Sequence, residues 1–217
     1  CIYSWQNSEH WQIIKAAIVK EQEQINKASS MAGIQPRLLV SVAIVEQLRL
    51  YYTQREFYEK FFKPLKILAN ANKMAWGVMS IKEKMAIQTE NNLKNKNSDF
   101  YPGPEYQNIL DFPEGIAVEK ERFRRLTEEK NHYYSYLYGA LIIKEIQAQW
   151  QKKGYDLRYR PEIIATLFNI GFDLSKPKPN PAVGGSTLDI NGEKYFFGSL
   201  AYEFYYSGEL VAEFPFE

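Results

Sequence analysis

Pro36-Arg37-Leu38-Leu39-Val40-Ser41-Val42-Ala43-Ile44-Val45-Glu46-Gln47-Leu48-Arg49-Leu50-Tyr51 is the stretch on which the reading of the fold turns. Proline stands at its head, where a helix makes no use of the missing N–H, and Gly33 just before it can end a preceding helix. Apolar residues then fall on nearly every side rather than along one stripe, which is the pattern of a helix running through a core. A single carboxylate, Glu46, lies near its end. On this helix alone two readings of Glu46 stand open. Buried, it would be driven towards its neutral form and could hold a proton for donation near neutral pH. On a solvated edge, or paired with Arg49 or another base, it would be structural.

Working outward, Trp11, Ile14, Ile18 and Ile25 recur at mostly three- to four-residue spacing and predict one amphipathic helix from Glu9 to about Met31. Tyr58, Phe61, Phe62, Leu65 and Leu68 could cover a flank, with Pro64 as a break. Further helices are expected over roughly Ser80 to Leu93, over Val118 to Gln151 in one or two pieces, and over Pro161 to Ile170. Between the first two of these, Lys94 to Pro104 reads as an exposed loop. Lys176 to Gly185 is a Pro/Gly linker. Thr187 to Ile190, Asn191-Gly192 and Glu193 to Phe197 then fit a hairpin, because Asn-Gly tolerates the positive φ angles of a type I′ turn. Leu200 to Tyr206 adds a helical turn that Gly208 stops. The expected fold class is mainly α, with a helical domain over 1–175 and, over 176–217, the linker and a short β/aromatic tail packed on it.

Bulk properties narrow the function. Lys plus Arg number 27 against 26 Asp plus Glu, so no global field recruits nucleic acid, and none is expected as a partner. No run approaches the roughly 18–20 apolar residues of a spanning helix. The one cysteine is Cys1, which excludes an internal disulfide. A sequence that opens on Cys suggests a processed lipoprotein, whose new N-terminal Cys is acylated, so Cys1 is a candidate lipidation site and the one expected route to membrane anchoring; the alternative is that the sequence simply starts there. His10 and His132 have no ligand partners at zinc spacing, and Gly184-Gly185 lacks the Lys-Ser/Thr of a phosphate loop, so neither metal nor cofactor is expected. Arg122, Arg124 and Arg125 read as a solvated helix face.

Three ordered segments carry a resemblance: Ile44-Val45-Glu46, then Gly77-Val78-Met79-Ser80-Ile81, then Ala165-Thr166-Leu167-Phe168-Asn169-Ile170-Gly171. Together they resemble the goose-type lysozyme and lytic transglycosylase family, whose pattern is a helix-borne Glu followed by Ser, then Gly-Leu-Met-Gln-Ile, then Ala-Tyr-Asn-Ala-Gly. The resemblance covers about Gln35 to Phe172. Gln47, Ser80 and Phe168 stand where the family has Ser, Gln and Tyr. The gap from Glu46 to Gly77 is longer than the family's, which implies an insertion around Tyr52 to Lys66.

What the resemblance implies is a lysozyme-like helical domain that cleaves peptidoglycan between N-acetylmuramic acid and N-acetylglucosamine, in the bacterial cell envelope. Glu46 would be the catalytic acid and base. Gly77, the main chain near Met79, and Ser80 would form one wall of the cleft, with Phe168 and Asn169 on another. Tyr134 or Tyr138 could supply the hydroxyl missing at Phe168. The partner would be a glycan strand. For a hydrolase with a second acid, Glu56, Glu59, Glu83 and Asp99 are candidates. Plainer readings stand beside these: Ser80 as a helix N-cap with Glu83 completing a capping box, Asn169 and Gly171 as a helix C-cap, and the four tyrosines from Tyr133 to Tyr138 as mostly packing residues. The rival function is a catalytically silent lysozyme-like protein that binds glycan or an envelope protein.

Overall fold

The computed structural model describes residues 3–53 and 77–216. Eight helices are present among them: α1 (Glu9–Lys20), α2 (Gln22–Ala32), α3 (Pro36–Thr53), α4 (Glu83–Lys94), α5 (Val118–Thr127), α6 (Tyr133–Gln151), α7 (Pro161–Ile170) and α8 (Phe197–Tyr206). The strands β1 (Thr187–Ile190) and β2 (Glu193–Phe196) form a two-stranded antiparallel sheet near the C-terminus. The protein is therefore mainly α with a small β-hairpin. No described helix is long and apolar enough to cross a membrane.

Helix α3 occupies the centre, its side chains mostly apolar: every residue from Arg37 to Leu48 is buried. It touches α1, α2, α6, α7, α8 and β1. Arg37, within that run, is wholly buried and donates four hydrogen bonds to main-chain carbonyls, those of Phe204, Tyr205, Glu209 and Phe214. It thus ties the C-terminal segment to the start of the central helix. Phe204, Tyr205 and Phe216 lie against its guanidinium.

The helix expected from Glu9 to Met31 is two helices. Ser8 caps α1, its hydroxyl accepting from the Trp11 N–H at 3.1 Å, and the break falls at Glu21, whose backbone leaves helical geometry. No glycine or proline marks that break; Glu21 instead turns its carboxylate to His132 at the head of α6, 3.0 Å away. Gly33 ends α2 at φ 62°, a left-handed position suited to glycine. The helical stretch expected over Val118 to Gln151 in one or two pieces is two, α5 and α6.

The tail beyond residue 176 shares the main core, to which Leu188, Ile190, Phe197, Leu200 and Phe204 belong. The hairpin turns through Asn191 and Gly192, both at positive φ. Helix α8 lies very close to α7 at Gly198, where an added Cβ would meet the Thr166 hydroxyl and the Glu162 carbonyl. The Thr166 hydroxyl also receives the Gly184 N–H at 3.0 Å.

The arginines of α5 correct the reading of a solvated face. Arg124 is exposed, but Arg122 and Arg125 are buried. Arg122 makes a two-pronged pair with Glu90 on α4, and Arg125 donates to the carbonyls of Leu110 and Asp111. Their charges fasten α5 and the preceding loop to the body.

Candidate functional site

Glu46 is 3% exposed, near the C-terminal end of α3. Burial pushes its carboxyl above the ordinary carboxylate range; Arg49, Ser80 and Lys82 pull the other way. Arg49, one turn further along the helix, puts both Nε and Nη2 on a single oxygen, Oε2, at 3.0 and 2.7 Å. Ser80 approaches from the 77–82 turn, where its side chain favours the charged form of the carboxyl group.

That turn is fixed by its neighbours. Gln47 donates to the Val78 carbonyl at 2.7 Å, so the residue next to Glu46 holds the turn against α3. Ser80 sits at φ 50°, an uncommon conformation for a residue with a side chain, and its N–H bonds the Gly77 carbonyl at 3.0 Å. The N-cap reading of Ser80 is not realised: α4 starts at Glu83 with Lys82 as N-cap and no side-chain cap.

Glu46, Arg49, Ser80, Lys82, Lys84, Gln88, Phe168, Asn169, Asp173 and Ser186 share the lining of one open groove of about 270 Å³. Its walls come from the end of α3, the 77–82 turn, the start of α4 and the end of α7. The first, second and third segments of the resemblance thus meet around one carboxylate. On the α7 side, Asn169 Oδ1 accepts from both the N–H and the hydroxyl of Ser186, at 2.8 and 3.0 Å. Gly171, at φ 88°, caps α7, as its plainer reading supposed.

Other candidates lie elsewhere. The Gly77 Cα is hemmed in by the Leu126 carbonyl and Ser135, so the close approach it permits is to the protein's own chain. The Met79 N–H faces Ser135 Oγ at 3.3 Å and its side chain is wholly buried against Gly139, which leaves that N–H engaged within the fold. Tyr138 is buried and donates to Glu90 at 2.6 Å, inside the pair with Arg122. Tyr134 lies under the Arg125 guanidinium. Neither tyrosine lines the groove, so neither brings a hydroxyl beside Phe168.

Sequence reading missed Asp173, an acid that lines the groove with Glu46 among the described residues. It sits in the short turn after α7, bonded to Lys84 at 2.6 Å and Gln88 at 3.2 Å, which hold it below the usual carboxylate range. Lys82 and Lys84 were missed with it; a charged pair at the mouth of a groove leaves no periodic trace in sequence. Glu83 and Asp99 do not line the groove, while Glu56, Glu59 and Cys1 fall outside the described residues. No group of three or more His, Cys, Asp or Glu suited to a metal ion occurs among the described residues. No protein-family model, curated protein or solved structure matches the chain.

Proposed function

We propose that the protein is a lysozyme-like, peptidoglycan-cleaving glycosidase of the lytic transglycosylase type, with Glu46 as its acid and base. The observation that carries this reading is the buried Glu46 carboxyl at the floor of a groove shared by Ser80, Phe168 and Asn169. A carboxyl group kept from water can hold a proton and deliver it to the departing glycosidic oxygen. As a carboxylate it then takes the proton of the sugar's own 6-hydroxyl while that oxygen closes on the anomeric carbon. One acid serves both steps. Asp173, the other acid lining the groove among the described residues, is engaged with Lys84 and Gln88, which suits a site that dispenses with a second catalytic carboxylate.

Ser80 lines the groove beside the Glu46 carboxyl, and the Asn169 amide faces the same space, where an N-acetyl or hydroxyl group of the sugar would find a polar partner. The Arg49 pair favours a second reading, in which the groove binds glycan without cleaving it, since a paired carboxylate is a poor proton donor. Incubating purified peptidoglycan with the wild type and with Glu46→Gln, and weighing the released muropeptides, separates the two. The enzyme reading expects release by the wild type, reduced about 10²–10⁴-fold in the variant. No release by either would sink it and leave the binding protein.

A further inference from the structure

We propose that Ser186, on the C-terminal tail, fixes the Asn169 carboxamide so that this wall of the groove receives the acetamido group of an N-acetylated sugar in preference to a plain hydroxyl. The proposal rests on the reading of the groove as a glycan site, whether or not the glycan is cleaved. Asn169 lies in the last turn of α7, and both it and Ser186 line the groove. Its oxygen, Oδ1, accepts from the Ser186 N–H at 2.8 Å and from the Ser186 hydroxyl at 3.0 Å. A main-chain N–H can only donate, so the amide atom that meets it is the oxygen and the NH2 is turned away. Neither hydrogen of that NH2 is taken by a hydrogen bond to another described residue. What Asn169 offers the groove is therefore a donor, which calls for an acceptor on the ligand.

The segment that sets the amide is itself held in place. The Gly184 N–H donates to the Thr166 hydroxyl at 3.0 Å, the Gly184 carbonyl accepts from the Gly198 N–H at 2.9 Å, and the Ser186 carbonyl accepts from the Phe197 N–H at 2.9 Å. Gly185, between them, stands at φ 92°, and a Cβ there would come within 2.9 Å of Phe197 Cβ and 3.0 Å of Asn169 Oδ1. The tail reaches Asn169 this closely because residue 185 has no side chain. A donor held by such a frame does not rotate to suit whichever group arrives. The same groove is lined by the apolar side chains of Phe168, Met85 and Phe172. The Met85 methyl lies 3.5 Å from where a Cβ on Gly171 would stand, two residues beyond Asn169. An acetamido group carries a carbonyl oxygen and a methyl on one small plane, which answers the donor and the apolar side chains together. A hydroxyl in its place brings no methyl and competes as a donor itself, so the fixed NH2 selects against it.

Isothermal titration calorimetry of the full chain compares the neutral trimer of N-acetylglucosamine with cellotriose, its counterpart bearing hydroxyls in place of the acetamido groups. The wild type should bind the acetylated trimer about tenfold tighter, the range of one hydrogen bond with a buried methyl. Asn169→Asp keeps an oxygen for Ser186 to hold and puts a second acceptor where the NH2 was, so the preference should fall to about twofold or less. Ser186→Ala loses the hydroxyl but keeps the N–H and should fall between, while Ser186→Thr should restore the wild-type ratio. A ratio of two ligands does not respond to a general loss of stability. In the nitrogen-labelled wild type, the NMR signals of the Asn169 NH2 should shift with the acetylated trimer and stay in place with cellotriose. Equal binding of the two sugars by the wild type, a preference that survives in Asn169→Asp, or unmoved Asn169 signals would overturn the subsite and leave the glycan reading standing. A ratio unchanged in Ser186→Ala would overturn the role of the Ser186 side chain. Binding of neither sugar, without muropeptide release, would overturn the glycan reading itself; release without binding of either would overturn the subsite alone.

Discussion

Arg37 and Glu46 lie on the same helix and both are buried, yet their charges are handled in opposite ways. The bonds of Arg37 go to four carbonyls, two of them from the last turns of α8, where a cation is favoured at the helix's carbonyl end. Glu46 is met by side chains that open onto a groove. The first is a fixed structural joint and the second a group that can change state. Arg37→Met keeps much of the volume and withdraws the arginine donors from the Tyr205, Glu209 and Phe214 carbonyls, while the Phe204 carbonyl keeps Ser207, so unfolding in urea should show a loss of about 3 kcal/mol or more, at roughly 1–3 kcal/mol for each group left unsatisfied. Were the loss within experimental error, the joint would not be needed. The apolar surroundings of Glu46 were legible because its neighbours on α3 are apolar on all sides. The direction of Ser80 was not: a positive φ on a serine is imposed by the turn's contacts with Gln47 and Gly77 and leaves no mark in residue type. Nor could the tyrosines of α6 be told apart, since the partner that claims the Tyr138 hydroxyl, Glu90, is 48 residues away.

At the scale of elements, periodicity located the helices and proline and glycine their ends where those residues were present. Pro36 and Pro161 begin α3 and α7, and the Asn191-Gly192 pair turns the hairpin. The break at Glu21 escaped because a long-range contact to His132, not a breaker residue, accompanies it. Between α4 and α6 lies a second buried acid, Glu145. It is wholly buried; Asn92 donates to Oε2 at 3.2 Å, while Oε1 has no hydrogen-bond partner among the described residues. Burial raises its carboxyl well above the ordinary range, with Asn92 and Thr89 opposing only in part. A folded-state pKa raised above the unfolded one means that the folded chain holds the proton longer. The stability this gives is complete below the unfolded value, near 4.5, and falls as pH rises towards the folded value. Glu145→Gln should therefore match the wild type in acid and become progressively more stable above about pH 4.5, read as a widening gap between urea midpoints. A gap independent of pH would show that Glu145 is not the source. The contact of α7 with α8 gives another test. Gly198→Ala forces a methyl against Thr166 and the Glu162 carbonyl, and should cost about 1–3 kcal/mol in thermal or urea unfolding. An unchanged midpoint would mean the two helices part without penalty.

Over the whole molecule, the C-terminal segment does more than cover a flank. Arg37 binds it to the head of α3, Thr166 binds Gly184, and Asn169 binds Ser186, so the tail holds one wall of the groove in place. The sequence placed a hairpin there, but its part in the groove depends on contacts between residues 17 or more positions apart and could not be read from it. The order of the three segments on the chain was legible; that they meet at one carboxylate follows from how α3, the 77–82 turn and α7 pack. The central claim is that this carboxylate alone carries both proton transfers. Digestion of purified peptidoglycan in heavy-oxygen water, with mass analysis of the new muramyl ends, tests it most directly. Closure by the sugar's own 6-hydroxyl predicts anhydro ends with no heavy oxygen, released by the wild type and lost in Glu46→Gln. Heavy oxygen at those ends would show that water is the nucleophile and that a second group activates it, contradicting the single-acid account.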